Sequence, residues 1–214
     1  MTARTLFEID NLRVVRPGAA LPVLDRFSLV LNAGETVVLL GDAQSGKDVL
    51  LRLLDGVAER GDEISGTIQF GDREAKPASQ KPRPSFPVAY LPAAASRPLN
   101  PRASTVSQLV RVIARKLDCP YGAALAEFRG ALARLTGAPS FELLDCAPSQ
   151  LDDVSWSWAL LAAACAAAPE LLLCDHPFLD ISPASARALT DALLAEQKRL
   201  NFAMVYAARG PQSV

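Results

Sequence analysis

Between residues 36 and 54 the chain passes from an unbroken apolar run, TVVLL at 36–40, through Gly41-Asp42-Ala43-Gln44-Ser45-Gly46-Lys47 into residues with helical spacing. The pattern G-x-x-x-x-G-K at a strand-to-helix junction is a phosphate-binding loop in the context that motif requires. Its glycines let the backbone turn tightly with N–H groups facing inward, and the helix start adds partial positive charge. Lys47 supplies a point charge suited to the β- and γ-phosphates of a nucleotide. The competing reading is an ordinary glycine turn with a lysine facing solvent. Asp48 stands where the motif asks for a serine or threonine hydroxyl to ligate Mg²⁺. A carboxylate can ligate that ion, but it adds negative charge beside phosphates. It can equally serve as a favourable acid in the first turn of a helix.

The surroundings alternate in type. Residues 6–9 and 12–15 read as strands before a turn at Pro17-Gly18, and residues 27–31 alternate as a half-buried strand should. The run at 36–40 is expected to be buried on both faces. After Lys47, Val49, Leu50, Leu53, Leu54 and Val57 share one helical face. Residues 64–72 read as a hairpin-like segment ending in Gly71-Asp72. The stretch KPASQKPRPSFP (76–87) holds four prolines and reads as a loop. Helical periodicity dominates from 105 to 168, with breaks near Cys119-Pro120, Gly137-Ala138-Pro139 and Ala147-Pro148. A second buried strand at 171–175 ends in Asp175. A helix from about 183 to 200 and a strand at 202–206 follow. The expected fold class is α/β with an interposed helical lobe, divided into a core (1–100 plus 168–214) and a helical lobe (101–167).

Composition limits the partners. With 22 basic and 23 acidic residues, and half the chain apolar, no global field draws it to nucleic acid or an anionic membrane. A bound polyanion must be held locally. The longest apolar run, 159–169, is about half of the ~20 residues a transmembrane helix needs. The N-terminal stretch lacks the apolar core of a signal peptide, so a cytoplasmic location is expected. Cys119, Cys146, Cys165 and Cys174 lack metal-ligand spacing and are expected to be reduced, buried and structural.

Beyond the loop, the fragments in order resemble the ABC transporter ATPases, most closely the dipeptide, oligopeptide and nickel importer branch. Residues 6–12 (LFEIDNL) resemble its opening strand, and Phe27-Ser28-Leu29 through Ala33-Gly34-Glu35 its approach to the phosphate loop. Ile64-Ser65-Gly66-Thr67-Ile68 resembles its hairpin, and Leu99-Asn100-Pro101 a triplet after its glutamine loop. Pro148-Ser149-Gln150-Leu151 resembles the lead-in to its LSGGQ signature, and residues 168–175 its Walker B strand, with Pro177 in place. The resemblance spans nearly the whole chain. It implies a P-loop NTPase of ABC ATPase type, with a mainly parallel core sheet, an N-terminal antiparallel β subdomain and a helical insertion lobe. It also implies ATP with Mg²⁺, Asp175 reaching the ion through water, permease subunits and a second ABC ATPase subunit as partners. The chain would then be peripheral on the inner face of the cell membrane through the permease.

The same resemblance exposes systematic departures. His176 follows Asp175 where the family places its catalytic glutamate; a histidine can hydrogen-bond water but lacks fixed negative charge. The metal-sensing glutamine falls near Pro92-Ala93. The signature maps to Leu151-Asp152-Asp153-Val154-Ser155, whose acids and valine block a close backbone approach to phosphate. The switch histidine maps to Ala207, and the adenine-stacking aromatic maps near Arg16. Trp156 and Trp158 replace polar residues, either as helix packing or as a more hydrophobic interface. Three readings follow: a subunit with weak or no hydrolysis paired with a second ATPase subunit, an atypical active ATPase using Asp48, Asp175 and His176, and a scaffold that binds no nucleotide.

Overall fold

The computed structural model describes residues 4–42, 44–73, 75–80, 83–93 and 96–209. It divides into two compact units. The first comprises residues 1–88, 170–175 and 201–214; the second comprises 89–169 and 176–200.

In the first unit an antiparallel sheet runs in the order β2-β1-β4-β5, from β1 (Thr5–Val15), β2 (Leu24–Asn32), β4 (Glu63–Phe70) and β5 (Lys76–Pro77). β1 is one long strand with an irregularity at Asn11, whose φ of 50° interrupts its register with both neighbours. The interruption has a purpose visible in the burial. Phe7 and Ile9 point inward before it, Leu12 and Val14 after it, so one extra residue restores the phase of the apolar face. Phe7 and Phe70 meet edge-to-face across the pairing, and Phe86 continues the stack.

A second sheet runs in the order β3-β8-β7-β6, from β3 (Thr36–Gly41), β6 (Val88–Leu91), β7 (Leu171–Asp175) and β8 (Ala203–Arg209), with β3, β8 and β7 parallel. β7 is buried along Leu171–Cys174, as its continuous apolar run predicts. β3 corrects the sequence expectation. Its residues alternate, with Val38 53% and Leu40 64% exposed. β3 lies at one edge of its sheet, and the face that carries Val38 and Leu40 is left uncovered. An apolar run alone does not report strand position. Helix α1 (Lys47–Leu54) packs on β7 and β8 with Leu50, Leu51 and Leu54 buried, and it stops before Val57, which is 51% exposed. Gly56, at φ 77°, takes the chain out of the helix.

The second unit is helical: α2 (Thr105–Leu117), α3 (Tyr121–Arg134), α4 (Phe141–Leu144), α5 (Asp153–Ala166) and α6 (Pro183–Leu200), broken at the expected prolines and glycine. α5 sits against α2, α3 and α6 and is apolar nearly all round. Trp156 and Trp158 are both buried, which assigns them to packing. The Trp156 indole donates to the Ser96 carbonyl at 3.2 Å, and the Arg97 guanidinium lies over its ring. On α6, buried Glu196 is held by Arg199 at 2.7 Å and Arg134 at 3.6 Å.

The cysteines are all free, as expected, but only Cys165 and Cys174 are buried; Cys119 and Cys146 are half-buried. The proline-rich stretch is less irregular than its composition suggests. Lys76–Pro77 pair with β4 and Ala78–Gln80 form a 3₁₀ turn, while residues 81 and 82 lie outside the described residues.

Candidate functional site

β3 ends at Gly41, and the loop that follows closes tightly on it. A Cβ on Gly41 would lie 2.7 Å from Cβ and Oγ of Ser45, so no larger residue fits without moving the loop. Asp42 organises the turn. Its carboxylate accepts the Gln44 amide at 3.0 Å, and its carbonyl accepts the Ser45 hydroxyl at 2.9 Å. Ala43 lies outside the described residues. Gly46, at φ 78°, is the N-cap of α1, and a Cβ there would meet the Val23 carbonyl at 2.7 Å. The segment between β1 and β2 is therefore packed directly on the start of the helix.

Lys47 is only 6% exposed. Its ammonium donates to the carbonyls of Gly41 (2.7 Å) and Asp42 (2.6 Å) and to the Ser45 hydroxyl (2.8 Å). Three donors meet three acceptors inside the loop, which satisfies the buried charge. This replaces the alternative of a lysine facing solvent. The ammonium is held within the loop by neutral oxygens alone.

Asp48, a candidate metal ligand, is ion-paired in the structure. Its carboxylate lies 3.3 Å from Nη2 of Arg16 and 3.5 Å from Nη2 of Arg52, one helical turn on. Arg52 also pairs with Glu59. The cluster alternates in sign and its formal charges cancel. Arg16, near which the family's adenine-stacking aromatic maps, ties the end of β1 to the first turn of α1. The spacing of Asp48 and Arg52 is legible as an i,i+4 pair. The reach of Arg16 across the fold has no sequence signal.

Asp175 closes β7. In register it lies opposite Ala207 of β8, which lies opposite Leu39 of β3. Asp175 and the Gly41 loop thus emerge at the same carboxyl edge of one parallel sheet, where α/β folds collect ligands. Ala207 is fully buried and presents a methyl group. His176, the next residue, belongs to the second unit and has φ 46°; its carbonyl accepts the Leu179 amide at 3.3 Å. Among the described residues no cluster of three or more metal-ligating side chains exists.

At the start of α5, Asp152 is the N-cap and accepts the Ser155 amide at 2.7 Å. Asp153 pairs with Arg97 at 2.6 Å. The two acids at the start of α5 therefore cap and anchor the helix.

The chain matches the ABC transporter family over residues 24–179 and belongs to it, as an ATP-binding domain. It is 27% identical over 212 residues to the uncharacterized ABC transporter ATP-binding protein YejF of Escherichia coli, covering 95% of this chain and 40% of that protein. It is 29% identical to the nickel import ATP-binding protein LarO of Lactiplantibacillus plantarum, covering 79% of this chain and 69% of LarO. The fold is also that of a dimeric post-hydrolysis structure of the ATP-binding cassette MJ0796 bound to ADP and Pi. That match has a TM-score of 0.74 at 15% identity and covers 95% of this chain and 88% of the other. ABC ATPase domains bind ATP, usually with Mg²⁺. The Gly41–Lys47 cradle fits a phosphate tail. Asp48, committed to two guanidinium groups, does not fit as a ligand for the ion. No described helix is long and apolar enough to cross a membrane.

Proposed function

We propose that this chain is the ATP-binding subunit of an import-type ABC transporter, of the dipeptide, oligopeptide and nickel kind, and that its own site has weak or no hydrolytic activity. The observation that carries the reading is the loop itself. Gly41 and Gly46 are required bare by contacts of 2.7 Å, and Lys47 is buried over the turn at the carboxyl edge of the sheet, which Asp175 shares. Nucleotide phosphates replace the carbonyl and hydroxyl acceptors of Lys47 and take the amides at the start of α1. Weak turnover follows from chemistry at other positions. No carboxylate follows Asp175, and Ala207 offers no hydrogen bond to a γ-phosphate. In this reading the chain pairs with a second ABC ATPase subunit, docks on permease subunits, and is peripheral at the cytoplasmic face of the membrane. The relatives' names, among them nickel import and phosphonates import ATP-binding proteins, support the import assignment.

Titration of a fluorescent ATP analogue tests the binding half. Saturable binding that Lys47→Ala weakens about 100-fold is expected, and binding indifferent to that change refutes it. For the catalytic half, phosphate release by the purified chain should stay near background and be unchanged by His176→Ala. Robust turnover lost in that variant would establish an active enzyme instead.

A further inference from the structure

We propose that this phosphate loop takes the triphosphate of a nucleotide without magnesium, with the Arg16 guanidinium supplying the positive charge that the ion would bring; the proposal rests on the nucleotide-binding reading above.

The position after the loop lysine is where a hydroxyl would hold the ion, and Asp48 occupies it. Its carboxylate is gripped by Arg16 at 3.3 Å and by Arg52 at 3.5 Å. Magnesium demands octahedral oxygen ligation at about 2.0–2.1 Å and gives up its water reluctantly. Taking Asp48 as a ligand would set a divalent ion against two guanidinium groups already at that carboxylate. Arg52, paired also with Glu59, stays at that carboxylate, so the ion would meet its positive charge directly.

Arg16 carries a second signal. One terminal nitrogen faces Asp48, yet its Nε is buried with no hydrogen-bond partner among the described residues. A buried donor without an acceptor is costly, and an incoming oxygen relieves that cost. The guanidinium fork matches phosphate in a way that an ammonium does not. Arg16 is also in the right place. It begins the turn after β1 that returns through Val23, whose carbonyl lies against Gly46. When Arg16 turns toward a phosphate, Arg52 still neutralises Asp48, so the carboxylate does not repel the ligand. Lys47, the amides at the start of α1 and Arg16 then form a complete anion cradle built from this chain alone.

The test is a titration of the purified chain with mant-ATP, once in excess Mg²⁺ and once in excess EDTA. The dissociation constant in EDTA should lie within about threefold of that in Mg²⁺. Arg16→Ala should weaken binding in EDTA about tenfold or more, the loss expected for a hydrogen bond to a charged group. Arg16→Lys should recover part of it. Asp48→Thr, which frees the ligand position, should give a protein whose affinity rises about tenfold when Mg²⁺ is added. Wild-type affinity that falls tenfold on chelation overturns the proposal while leaving the phosphate loop intact. So does unchanged binding by a folded Arg16→Ala protein. If Arg16→Ala melts at a lower temperature, the Asp48→Thr arm decides, and no gain of metal dependence there overturns the proposal. Absence of Lys47-dependent binding in both buffers refutes the nucleotide reading itself, a result distinct from the others.

Discussion

The starts of α1 and α5 are the two helix N-termini that the family resemblance assigns to phosphate, and this chain treats them in opposite ways. α1 begins at Gly46 with no side chain capping it. α5 begins at Asp152, whose carboxylate takes the Ser155 amide, and Asp153 in the same turn is tied to Arg97. A helix N-terminus offers unpaired amides and partial positive charge to whatever anion reaches it first. At α5 that anion is part of the chain. At α1 the cap position is a glycine, and the first-turn carboxylate, Asp48, is turned aside into an arginine pair. One helix end is closed by its own chain, and the other is left open.

The largest test of the contrast is Gly46→Ala. It forces a side chain into φ 78° and against the Val23 carbonyl at 2.7 Å, and should cost about 3 kcal/mol in a urea melt. A near-neutral outcome would mean that the loop is free to reshape. Next comes Lys47→Ala, with ATP affinity reduced about 100-fold, or ~2.8 kcal/mol, by fluorescence titration. Asp152→Ala should cost about 1 kcal/mol of stability through loss of the cap while leaving nucleotide affinity untouched. If affinity fell, the two helix ends would be coupled. Separating Arg97 from Asp153 with Asp153→Ala is expected to cost less, under about 1 kcal/mol, because the carboxylate is half exposed.

The smallest effect near neutrality is that of pH on the framework behind both helices. Burial, with a further contribution from Glu196, pushes the Cys165 thiol up to about 12 from 9.0, and burial pushes the Tyr206 hydroxyl up to about 12 from 10.0. Both groups keep their proton longer folded than unfolded. Their contribution is therefore fully present below about pH 9 and is lost as pH rises from there towards 12. Melting temperature should be flat with respect to these groups between pH 6 and 8 and fall above pH 9, less steeply in Cys165→Ala. A thiol that titrates at its ordinary value in the folded protein would contradict the packing of α5 against α6.

Much of this was legible in the chain. The helices of the second unit end where Pro120, Gly137 and Pro148 say they should, because proline and glycine act locally on the backbone. β7 and α6 were legible for the same reason, an apolar run of the right length and a long capped period. β3 was misread as doubly buried, because hydrophobicity records what a residue tolerates and not which strands flank it. Val57 was counted into a helical face that the backbone abandons at Gly56. The site divided along similar lines. Gly41, Gly46, Lys47 and Asp175 declare themselves by spacing, whereas the double grip on Asp48 depends on Arg16, more than thirty residues earlier.

Local physics written in order along the chain therefore determined the element types, the phosphate loop and the substitutions around it. Only the folded structure decided which faces are covered, that the loop and Asp175 share one sheet edge, and that Asp48 answers to arginines. Register and long-range ion pairs are set by the packing of segments distant in sequence, and no window of neighbouring residues contains that information.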